Sequence, residues 1–143
     1  MKNLASIIIV AMFYIIPIKC MGQDMKIRLL FDGKETIVRM ADNAAVSQFI
    51  AMLPADFEFS DFAGQEKISY FPEPIKLDGV TRGMVASKGK MFIYVPWGNF
   101  GFYYKDHGTT LDKSLIPMGE VEQGLNNLEA QKGKFTAHIE LVQ

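Results

Sequence analysis

Between Tyr94 and Asp106 the chain places six aromatic residues, Tyr94, Trp97, Phe100, Phe102, Tyr103 and Tyr104, around a turn made of Pro96, Gly98 and Asn99. Rings with a polar tip suit a pocket that grips a peptide or small organic ligand, because one end is apolar and the other can hydrogen-bond. On this ground the candidate ligand-binding residues are Tyr70, Tyr94, Trp97, Asn99 and Tyr104. Phe100 and Phe102 are expected to fill the core instead, while Trp97, at a turn beside glycine, is compatible with either role.

Reactive groups are sparse. Asp106 next to His107 has the makings of an acid/base pair, but sequence neighbours point apart, and no serine or cysteine nucleophile accompanies them. Glu120 and Glu122 share one face of a strand and read as a solvated pair, since nothing adds a sugar-stacking platform for glycoside chemistry. With only His107 and His138, a three-histidine metal site is excluded. His138 has the opposite parity to Phe135, Ala137 and Ile139 along its run, which points it to solvent. No phosphate-binding loop, dinucleotide fingerprint, nucleophile elbow or His-Glu-x-x-His occurs. No catalytic residue, metal ligand or cofactor is therefore assigned.

The elements that must position the aromatic turn are mostly strands. Met25 to Phe31 alternates with Ile27, Leu29 and Phe31 on one face, and Lys34 to Met40 resumes after Asp32-Gly33, so the spacing predicts a β-hairpin. Asn43 can cap a short helix in which Val46, Phe49, Ile50 and Leu53 share a face before Pro54. Asp56–Ser60 and Lys67–Phe71 are further strands, and Pro72 and Pro74 end the second. Residues 75–90 show little periodicity and read as a long surface loop. Met91–Val95 and Phe100–Lys105 are apolar on both faces, so they belong in the middle of something. A strand interrupted by Pro117 spans Leu115–Val121, one or two helical turns follow over Gly124–Ala130, and Phe135–Leu141 is the last strand. Seven or eight short strands joined by hairpins point to a mainly β fold: a closed antiparallel barrel of about eight strands with one or two short helices.

The N-terminus is different. Lys2 precedes a charge-free apolar run from Leu4 to Ile16, Pro17 breaks it, and Cys20 and Gly22 stand three and one before Gln23. That is the pattern of a secretory signal over residues 1–22, leaving one domain over residues 23–143. The run is short of the roughly 20 residues a spanning helix needs, so cleavage is preferred to a retained anchor. A lipid anchor on Cys20 is the other alternative, disfavoured by Lys19 where a small residue is needed. Membrane contact is thus expected only through the transient signal or, failing that, a lipid on Cys20, and the product is expected in the periplasm or secreted. The only cysteine leaves with the signal, which removes disulfide and thiolate chemistry from the domain. The chain has 15 basic and 16 acidic residues; losing Lys2 and Lys19 takes the formal charge from −1 to −3. The remaining basic residues are scattered, which argues against a nucleic-acid surface.

Several segments resemble a known family. They are Met25-Lys26-Ile27-Arg28 through Phe31-Asp32-Gly33, Phe49 to Pro54, Glu66-Lys67-Ile68-Ser69-Tyr70, Tyr94-Val95-Pro96-Trp97-Gly98-Asn99, Tyr104-Lys105-Asp106 and Ile116-Pro117-Met118-Gly119-Glu120-Val121. Together they resemble the bacterial cyclophilin-like domain family over Met25 to Val142, the Pro-Trp-Gly-Asn turn most specifically. The resemblance implies a closed eight-stranded cyclophilin barrel. It does not carry isomerase activity: such a site resembles an arginine on a strand beside a Phe-Met-Gln segment, and Arg28, Arg39 and Arg82 lie in no such segment. The leading expectation is a non-catalytic module that binds a peptide or small ligand after export. A prolyl isomerase with a rearranged site is the alternative, and an enzyme built on Asp106 and His107 the third reading.

Overall fold

The computed structural model describes residues 24–143. The leader expected over residues 1–22, and Cys20 with it, lies outside the described residues. Strands β1 (Lys26–Phe31) and β2 (Lys34–Met40) form the expected hairpin. Asp32 and Gly33 turn it with φ of 50° and 64°, the paired positive angles that a two-residue hairpin loop demands. Helix α1 (Ala44–Ile50) is capped by Asn43, whose side-chain oxygen accepts from the Val46 N–H at 2.9 Å. The same amide donates to the Pro117 carbonyl at 2.8 Å and ties the helix start to the sheet.

The remaining elements are β3 (Ala55–Phe62), β4 (Glu66–Tyr70), β5 (Met84–Val85), β6 (Lys90–Tyr94), β7 (Asn99–Tyr103), β8 (Leu111–Asp112), β9 (Leu115–Gln123), α2 (Leu125–Ala130) and β10 (Phe135–Leu141). Eight strands close into a barrel in the order β1-β10-β3-β4-β7-β6-β9-β2, with every neighbouring pair antiparallel. The architecture is the one expected: a mainly β, closed eight-stranded antiparallel barrel with two short helices. Pro117, which cannot donate to a ladder, sits at a bulge, where the β6–β9 register jumps from Met91↔Gly119 to Phe92↔Pro117.

The barrel interior is packed with apolar side chains. Phe100 touches Phe49 of α1, Phe57, Phe59 and Phe71 with ring centroids 4.6–5.7 Å apart. Leu128 of α2 is buried in the same core. A second, smaller cluster lies on the outer face of β4, β7, β6 and β9, where Ile68, Phe92, Tyr103 and Leu115 are buried beneath Met84 and Ala86. Residues 75–90 are therefore not the surface loop that the sequence suggests along their whole length. Met84 and Val85 pair with Leu111 and Asp112 as a two-stranded ribbon, and Met84 and Ala86 are buried. This ribbon and the second cluster explain why β6 and β7 are apolar on both faces.

Candidate functional site

The outer face of β4, β7 and β6 is set by strand parity. On β7, Phe100 and Phe102 point into the barrel, so Asn99, Gly101 and Tyr103 point out. Register then places Asn99 between Tyr70 and Tyr94, Gly101 between Ile68 and Phe92, and Tyr103 opposite Glu66. Gly101 has no side chain to stand in the way. A Cβ there would meet the Lys67 carbonyl oxygen at 2.5 Å and Ile68 and Phe92 at 3.1 Å, so only glycine lets those two side chains close over the strand.

Over this face lies an open cavity of about 310 Å³. Its aromatic wall is Trp97, which meets Phe62 and Tyr94 edge-on at centroid distances of 5.5 and 5.4 Å. Trp97 is 53% exposed and Phe62 39%. Phe92 and Tyr103 stack at 4.3 Å, and His107 lies nearly parallel to Tyr103 at 6.0 Å. The polar lining is Glu66, Asn99, His107, Asp112 and Ser114. Asn99 is 2% exposed, and its Oδ1 is the one buried side-chain polar atom among the described residues without a hydrogen-bond partner.

Electrostatics at the cavity favour neutral hydroxyls and acceptors. Burial pushes the Tyr103 hydroxyl well above the usual tyrosine range, and the facing Glu66 charge adds to it. Burial likewise raises the Glu66 carboxyl, with the Tyr103 hydroxyl and His107 pulling the other way. Asp112 is held below the ordinary carboxylate range by the Ser114 hydroxyl and backbone N–H, which donate to it at 2.5 and 2.8 Å. Asp106 does not serve His107: its carboxylate accepts from the Lys88 N–H at 2.8 Å, while the His107 ring pairs with the Gln65 side chain. Ser114 donates its hydroxyl hydrogen to Asp112, so no serine–histidine couple forms. No group of three or more potential metal ligands occurs among the described residues.

The structure brings together three of the five residues singled out from sequence, Tyr94, Trp97 and Asn99. Tyr70, 58% exposed, lines an adjoining cavity of about 410 Å³ whose common wall is Trp97. Tyr104 stands apart at the barrel mouth, where its hydroxyl donates to Asp61 at 2.6 Å and its ring faces the Lys67 amine at 4.9 Å. Sequence reasoning missed Phe62, Glu66, Phe92 and Tyr103, although their parity with Asn99 and Tyr70 was available once the strands were aligned. His107, Asp112 and Ser114 carry no such signal, because loops and the β5–β8 ribbon bring them in.

The cyclophilin-like family matches residues 29–140, nearly the whole barrel. The chain belongs to the cyclophilin-like family. Among solved structures, the hypothetical protein AF2241 from Archaeoglobus fulgidus is similar at 12% identity, with 82% of this chain and 94% of that chain covered and a TM-score of 0.63. That likeness is one of fold. No match was found among curated proteins. None of the three arginines lines the cavity: Arg28 pairs with Glu140, Arg39 lies beside Glu120 and Glu122, and Arg82 is exposed.

Proposed function

We propose that this cyclophilin-like domain is exported and acts as a non-catalytic binding module, holding a peptide or small organic ligand in the cavity against Trp97. The observation that carries this reading is Asn99, an amide buried at 2% exposure, lining the cavity with its oxygen unpaired. A buried acceptor without a partner costs about 1–3 kcal/mol, a cost that a ligand donor would relieve. Half-exposed Trp97 and its two edge-on neighbours supply the apolar surface that such a ligand would cover. No nucleophile–base couple stands beside them, and an isomerase would need a donor aimed at the prolyl nitrogen.

Trp97 is the only tryptophan in the chain, so its fluorescence reports on this cavity and on the adjoining one that shares it as a wall. Mature protein, expected to begin at Gln23, is titrated with capped tripeptides of apolar, basic, acidic and proline-containing sequence and with small aromatic amides. At least one class should shift or quench Trp97 saturably, and Trp97 silent to every class overturns the reading. In a peptide isomerisation assay the rate should stay at the uncatalysed background set by a barrier of about 18–20 kcal/mol. A rate above it overturns the non-catalytic part.

A further inference from the structure

The charge lining the cavity has one sign. Glu66 and Asp112 face it, no lysine or arginine does, and His107 is the one lining group able to become positive. Its charged groups are acceptors, the two carboxylates. Around them stand Trp97 and Tyr94, rings whose faces attract cations. An acidic, aromatic cavity complements an ammonium or guanidinium head.

The neighbouring cavity is different in kind. It shares Trp97 as a wall and is lined by Tyr70, Pro72, Pro74, Ile75 and Leu77, with no charged residue. Asn99 is flanked in register by Tyr94, which lines the acidic cavity, and Tyr70, which lines the apolar one. The two cavities therefore adjoin across Trp97, a shape that an extended chain can straddle and a compact small molecule cannot.

We propose that the site takes a peptide carrying lysine or arginine, its basic head between Glu66 and Asp112 and an adjacent apolar residue across Trp97. This rests on the binding reading above and adds the ligand class. The test compares four probes by Trp97 fluorescence: acetyl-Leu-Arg-Ala-amide, the same peptide with citrulline for arginine, the same with glutamate, and agmatine. The arginine peptide should bind about tenfold or more tightly than its citrulline twin, the glutamate peptide least. Glu66→Gln, checked for folding by circular dichroism, should shrink that ratio to about threefold or less, and raising the salt should weaken the arginine peptide and agmatine but not the citrulline peptide. Agmatine, the head without the chain, should bind about tenfold more weakly than the arginine peptide. Equal binding of the arginine and citrulline peptides overturns the charge assignment while leaving Trp97 in a ligand site. Agmatine binding as tightly as the peptide overturns the peptide part. If Trp97 answers other ligand classes but none of these four, the basic-peptide assignment alone falls.

Discussion

Asn99 and Lys67 are both buried polar residues, at 2% and 1% exposure, and the fold treats them in opposite ways. The Lys67 amine is fully engaged inside the barrel mouth: it donates to Asp61 at 2.9 Å and to the Gln131 carbonyl at 2.5 Å. Burial acts to raise the Asp61 carboxyl, but the Tyr104 hydroxyl and Lys67 outweigh it and hold that group below its ordinary value. Burial first, and the Asp61 contact second, push the Tyr104 hydroxyl up to about 12. The unfolded chain releases this proton near 10 while the folded chain keeps it, so stability falls as pH climbs from 10 to about 12. Tyr104→Phe should remove an absorbance step at 295 nm near pH 12 and flatten that fall in melting temperature; an unchanged titration curve would contradict the assignment. Sequence alone grouped Tyr104 with the ligand residues on ring type, although its parity follows Phe100 and Phe102. That its hydroxyl serves the carboxylate partner of a buried lysine was not visible, since Lys67 reads as an ordinary strand lysine. Asn99 has no such service: its oxygen is without a partner, and the proposed binding role rests on it.

Among the elements, the hairpin and α1 were legible because each carries its own signals: a turn that needs Asp-Gly, a cap at Asn43 and a regular apolar face. The β5–β8 ribbon was not legible. Two-residue strands have no periodicity, and Met84 and Ala86 are buried by what lies beneath them rather than by a local pattern. That ribbon brings Asp112 and Ser114 to the cavity rim, so two of the five polar lining residues stayed hidden until the chain was folded. Strand β7 carries the floor of the site, and Gly101 is its tightest point. Gly101→Ala forces a Cβ to within 2.5 Å of a backbone oxygen on β4, which cannot yield as a side-chain tip would. The expected cost is about 1–3 kcal/mol, read as a lower denaturant midpoint at unchanged slope. Ile68 and Phe92 must move with it, so any ligand answer from Trp97 should weaken in parallel. A midpoint equal to that of the parent would show that the strands are not in contact as described.

At the scale of the molecule, closure of the barrel removes exposed strand edges and leaves one outer face to carry a second cluster and a cavity. A barrel conserved in shape with AF2241 at a TM-score of 0.63, but only 12% identical, places few demands on which side chains stand outside it. Function must then be argued from this chain's own residues on that face. The fold was open to sequence reading because alternation and turn chemistry determine it strand by strand. The cavity depends on register between strands distant in the chain, such as Tyr70↔Asn99↔Tyr94, and register is a property of the whole sheet. The most direct test of the cavity as a binding site is Asn99→Leu, studied by thermal unfolding and by Trp97 fluorescence with the tightest-binding peptide. Leucine replaces an amide whose oxygen has no partner, so stability should hold or rise by up to about 2 kcal/mol, while affinity drops about tenfold or more. A variant that loses stability yet binds as before would contradict the account, for Asn99 would then be a structural residue and the cavity beside it no site.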